Sequence, residues 1–137
     1  MTEGEAIARR LVDELWGQRN PEVLDELIAP DFVLHDPSVP DLPKGPEGAR
    51  QYYQMFVAGF PDIQVKNDEL VASGDFVAAL WTAHGTHDGE AMGIPPTGRQ
   101  ITITGQALYR MANGQIVEEW VHADMVGLLK QLGAIPA

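Results

Sequence analysis

ITITGQALYRMANGQIVEEWVHADMVGLLKQLG, residues 101–133, decides the fold. Asn113-Gly114 is the strongest short hairpin signal a sequence offers, because both central positions of the tight turn need positive φ. The residues on either side are rich in β-branched, aromatic and small side chains, so 101–111 and 115–123 read as paired antiparallel strands. Behind them Met125, Val126, Leu128, Leu129 and Leu132 repeat at helical spacing until Gly133, with Asp124 at the N-cap position.

Upstream, residues 63–72 and 76–86 have β character on either side of the Ser73-Gly74-Asp75 turn. Residues 88–98 hold too many Gly and Pro for a strand and form a loop. Ahead of these strands the periodicity is helical. Thr2 and Glu5 have capping-box spacing, and Ile7, Ala8, Leu11, Val12, Leu15 and Trp16 form one apolar face that Gly17 ends. Asn20 can cap a second helix with Pro21 in its first position, facing Leu24, Leu27 and Ile28 inward. Residues 31–36 form a short strand stopped by Pro37, residues 37–46 a loop, and Pro46 opens a third helix carrying Tyr52, Tyr53 and Phe56. Helices first and an antiparallel meander after them predict a single α+β domain over 1–137, with helices packed on one face of a curved sheet.

The bulk numbers exclude several classes. Cysteine is absent, so there is no thiolate nucleophile and no sulfur-ligated metal. A formal charge of −11 with nine scattered Lys and Arg argues against nucleic acid and anionic lipid as partners. No apolar run approaches the roughly 20 residues a spanning helix needs, and the start lacks the marks of a secretory signal. The expected setting is the cytoplasm, and the expected partner a weakly polar small molecule or a second copy of the chain. His84 and His87 project to opposite sides of a strand and cannot share a metal, so neither metal nor cofactor is expected. No nucleophile elbow, phosphate loop or dinucleotide fingerprint is present.

If Asn113-Gly114 is a two-residue turn without a bulge, residue 112 faces 115, and Tyr109 pairs with Glu118, Ala107 with Trp120, Gly105 with His122 and Ile103 with Asp124. That face is the inward one on this count, with Glu119, Val121 and Ala123 outside. Gly105 and Ala107 then leave open volume opposite Trp120 and His122, as expected of a ligand pocket. Asp124 has two readings with opposite chemistry: an N-cap, or a carboxylate beside Trp120 raised toward the range of a general base. His122 and His35 are the polar candidates for a role beside Asp124, while Trp120, Phe32 and Tyr53 would border the pocket. Trp81 and His84 have opposite parity, so one of them, not specified by the sequence, lines the pocket with them.

Several pieces in order resemble the SnoaL-like polyketide cyclases, or ester cyclases, of the superfamily shaped like nuclear transport factor 2 and ketosteroid isomerase. They are FVLHDP at 32–37, the helix from 46 to 58 followed by Phe60-Pro61-Asp62, GIPPTG at 93–98, NGQIVEEW at 113–120, Asp124, and LLKQLG at 128–133. The resemblance implies a cone-shaped α+β fold, a curved antiparallel sheet around a pocket, and a homodimer through the outer sheet face. It also implies ring closure in a polyketide methyl ester by intramolecular aldol condensation, without metal or covalent intermediate. An aspartate at the end of the last strand serves as base in that chemistry and maps onto Asp124. The Asp–Arg–Asp set of limonene epoxide hydrolase has no match here. Two other functions stay open on the same pocket: a dimeric module that binds an apolar ligand without chemistry, and an isomerase or hydratase.

Overall fold

The computed structural model describes residues 1–136. Helix α1 (Glu3–Arg10) starts as expected, with the Thr2 hydroxyl accepting from the Glu5 amide at 3.1 Å, and continues as a π-helical segment, Leu11–Gly17. Helix α2 (Val23–Leu27) begins two residues beyond Pro21, and its chain runs directly into β1 (Ile28–His35). Helix α3 (Pro46–Gly59) has proline in its first turn. Four strands follow, β2 (Gln64–Ser73), β3 (Phe76–Thr86), β4 (Gln100–Ala112) and β5 (Gln115–Ala123), and then helix α4 (Met125–Gln131). Among the described residues no helix is long and apolar enough to cross a membrane.

The strands form one sheet in the order β1-β5-β4-β3-β2. Three neighbouring pairs are antiparallel, as the meander predicts, and β1 adds to β5 in parallel. A parallel partner needs a long crossover, and residues 36–114, including α3 and three strands, supply it.

The 4–5 hairpin turns on Asn113 and Gly114 at φ +53° and +75°. Its register differs from the simple count. Ala112 pairs with Gln115 and Met111 with Ile116, but Arg110 then pairs with Glu118, leaving Val117 as an extra residue in a bulge. Beyond the bulge every side chain of β5 changes face. Tyr109 therefore meets Glu119, Ala107 meets Val121, and Gly105 meets Ala123, while Trp120 pairs with Leu108 and His122 with Gln106. The faces expected for Trp120 and His122 on one hand, and for Glu119, Val121 and Ala123 on the other, are exchanged.

The helices cover the sheet face that carries Tyr109 and Val121. The core is in two parts. One joins α1, α2, β1 and the turn end of the hairpin, with Leu24, Leu27, Ile28, Phe32 and Ile116 all nearly inaccessible. The other joins Phe60, Ile63, Ala83, Ile101, Ile103 and Leu128. Trp16 and Trp81 are half-buried and pack against both, and the space between the two parts is the cavity.

Candidate active site

The cavity holds about 90 Å³. Its floor is the inner sheet face, where Trp81, Ala83, Ile103, Tyr109, Glu119 and Val121 converge, and its roof comes from Leu15, Trp16, Tyr52, Tyr53 and Phe56. Aromatic packing orders the roof: Trp16 meets Tyr53 edge-on at 5.0 Å between centroids, and Tyr52 leans on Phe56 at 5.0 Å. Gly105 serves the floor differently from expectation. It lies opposite Trp81 on β3, and a Cβ there would collide with the Trp81 indole and sit 2.7 Å from the His122 carbonyl oxygen. The room that glycine leaves is taken up by Trp81, not left empty, and Ala107 is buried at the core. Gly105→Ala should therefore cost about 1–3 kcal/mol and loosen Trp81, seen as a lower urea midpoint and a red-shifted tryptophan emission. Unchanged stability and emission would mean that the indole moves aside freely.

Polar groups gather around Glu119. Its carboxyl is buried, and removal from water pushes its pKa up to about 8, with the negative charge of Asp36 adding to the rise. Across the ladder, burial raises the Tyr109 phenol well above its ordinary value, helped by the charge on Glu119, so it keeps its proton. Asp36, just past β1, is buried and fully engaged: Oδ1 accepts from the Ser38 amide at 2.9 Å and hydroxyl at 2.7 Å, and Oδ2 from the Tyr52 hydroxyl at 2.7 Å. Burial and that bond to Asp36 hold the Tyr52 phenol protonated. Asn67 adds an amide at the β2 side of the wall.

Of the site residues expected from sequence, Tyr53 and Trp81 border the cavity, joined by Tyr52 and Phe56 from the same helix as Tyr53. Trp81, not His84, is the inward member of its pair; His84 is exposed and lies 3.0 Å from Thr102 Oγ1. Trp120 and His122 stand on the outer sheet face because of the bulge at Val117. His35 joins them there: its ring stacks on Trp120 at 5.3 Å, and its Nε2 lies 2.6 Å from Glu118 Oε2. That bond, with Arg110 at 3.0 Å, holds the Glu118 carboxyl below its usual range. Phe32 is sealed into the core at 1% exposure and does not border the cavity. Asp124 is exposed; its Oδ1 accepts from the Gly127 amide at 2.9 Å, which makes it the cap of α4, and its neighbours Ala123 and Met125 reach the cavity while its own carboxylate does not.

Glu119 was missed, and the sequence carried a signal for it. Ile116 and Val121 are both large, β-branched and apolar, yet five residues apart they have opposite parity on a regular strand. Both can face one core only if a residue is inserted between them.

The site can be set beside known proteins. The model of the SnoaL-like polyketide cyclases matches residues 6–132. The chain is 28% identical over 111 residues to nogalonic acid methyl ester cyclase of Streptomyces nogalater, covering 80% of this chain and 83% of that protein. It is 26% identical to aklanonic acid methyl ester cyclase DnrD of Streptomyces peucetius, over 93% of this chain and 88% of that one. The solved structure of TsrD from Streptomyces laurentii superposes with a TM-score of 0.88 at 25% identity, over 97% of this chain and 96% of that one. With the family model matched over residues 6–132 and the whole fold superposing on a solved structure, the chain belongs to the SnoaL-like polyketide cyclase family.

Proposed function

We propose that the chain closes a ring in a polyketide-like, carbonyl-rich small molecule by cofactor-independent aldol chemistry, with a carboxylate as general base. The observation that carries this reading is the interior cavity: apolar on nearly all sides, with acidic and phenolic groups at the Glu119 end, it suits a flat ring system bearing oxygens along one edge. The relatives named as methyl ester cyclases support the same chemistry. Asp124 is the proposed base. One of its oxygens is bound to the Gly127 amide, and no protein hydrogen bond reaches the other among the described residues. A fused-ring substrate exceeds about 90 Å³, so in this reading part of it projects past Ala123 and Met125 toward Asp124. The same reading has two copies meeting on the outer sheet face, where Val71, Leu80 and Leu108 stand exposed.

A second reading is favoured by the exposure and capping of Asp124: a module that holds an apolar ligand and performs no chemistry. Asp124→Asn separates the two. Asparagine caps a helix as well as aspartate but is no base, so turnover of a methyl ester substrate should fall on the order of 100-fold or more with a nearly unchanged melting temperature. Full turnover in the variant rules out Asp124 as base, and no turnover by the parent favours the binding module.

A further inference from the structure

Glu119 is a costly residue to place where it stands. An acid taken out of water needs partners, and the neighbouring Asp36 has three of them. Among the described residues no hydrogen bond reaches the Glu119 carboxyl, nor the hydroxyl of Tyr109 directly across the ladder. The outer-face cation nearest in the ladder, Arg110, is committed to Glu118 and offers no charge to the interior. Nor are these polar atoms sealed in the packing. Both residues line the cavity, and neither is among the fully enclosed polar atoms without a partner, of which His87 Nε2 is the example. Two adjacent hydrogen-bonding groups thus face a mostly apolar hollow without a hydrogen-bond partner among the described residues. Buried polar groups are almost always satisfied, so an unsatisfied pair facing a cavity calls for a polar atom brought by a ligand.

We propose that Glu119 and Tyr109 form a donor pair that anchors a carbonyl oxygen of the substrate at the inner end of the cavity, away from the bonds that react. This rests on the cyclase reading above. Both groups carry their protons at neutral pH, since burial raises each and no facing group is cationic: Tyr52 and Tyr53 are the other titratable groups lining the cavity, and Asp36 lies behind Tyr52. Two neutral donors therefore meet one acceptor. In a site with little water such hydrogen bonds act more strongly than at the surface. Glu119 and Tyr109 would thus be substrate-binding residues supplied by a β-bulge, orienting the substrate from the inner end of the cavity while the exposed Asp124 lies outside it.

The test uses the full chain and a plain ketone, acetophenone carrying ¹³C at its carbonyl, whose infrared band moves to lower frequency on accepting hydrogen bonds. Bound to the parent at neutral pH, the band should lie below its position in an apolar solvent. Glu119→Gln keeps the shape and a donor and should preserve that shift, whereas Glu119→Leu and Tyr109→Phe should each lose part of it and weaken binding roughly 10-fold. In the parent the shift should fade as pH rises through about 8, and in Glu119→Gln it should not. With a cyclisable substrate, Glu119→Leu should raise KM roughly 10-fold. No binding by the parent, or a band unmoved by Glu119→Leu, overturns the proposal. Because the probe does not react, the two readings fail separately. A shifted band without any cyclisation would remove ring closure and keep the donor pair; Asp124-dependent cyclisation with an unshifted band would do the reverse.

Discussion

Above about pH 8, Glu119→Gln protein is expected to be more stable than the parent, by a margin that closes as pH falls toward 4.5. The buried carboxyl holds its proton up to about 8 in the folded chain, against an ordinary value of 4.5. Over that interval the folded state binds more protons than the unfolded one, so parent stability falls as pH rises. The contribution is fully present below 4.5 and is gone once pH has passed about 8. At about 1.4 kcal/mol for each pH unit of displacement, the full loss amounts to at most about 5 kcal/mol, a large part of the 5–15 kcal/mol that holds a typical domain together. Glutamine has the same shape and does not titrate, so it removes this slope. Urea unfolding of both proteins between about pH 5 and pH 9 gives the comparison. Parallel curves would mean that water reaches Glu119 freely, and the dry interior argued for the site would go with them.

Phe32→Ala is expected to cost about 3–5 kcal/mol. The ring is 1% exposed and packs with Leu24, Leu27, Ile28 and Ile116 where β1 lies parallel to β5. Deleting it removes apolar burial and leaves a void that rigid strands on both sides cannot close. A substrate-shaping role has a different signature, a raised KM at unchanged stability. Denaturation midpoints alongside KM for the same variant separate the two, and parent-like stability with impaired binding would return Phe32 to the site.

What was legible in the sequence follows from how locally each feature is encoded. Thr2 before Glu5, Pro46 opening α3 and Asn113-Gly114 each specify a conformation within a few residues, and all three hold in the structure. The order of helices and strands gave the α+β class, and the inward face of α3 with Tyr52, Tyr53 and Phe56 followed from helical periodicity. The parallel pairing of β1 was hidden, because it depends on two segments some 80 residues apart. The inward face of β5 was hidden for a different reason. Val117, Glu119, Val121 and Ala123 compete with Ile116, Glu118, Trp120 and His122, and each set mixes apolar residues with an acid, so alternation alone favours neither. The count chose the set with the larger aromatic. The structure chose the smaller residues because the helices and Trp81 already fill that side, and a second indole beside Gly105 has no room.

The single unpaired residue at Val117 carries a consequence for how such a hairpin diversifies. Upstream of it the ladder is anchored by the turn; downstream, one residue more or fewer interchanges the interior and exterior inventories wholesale, trading a buried acid for an indole and an imidazole. Chemistry inside the cavity and stickiness on the outer sheet face are thus set by one count. Sequence comparisons across relatives that align the tryptophan but ignore the length between turn and tryptophan will pair residues that work on opposite surfaces.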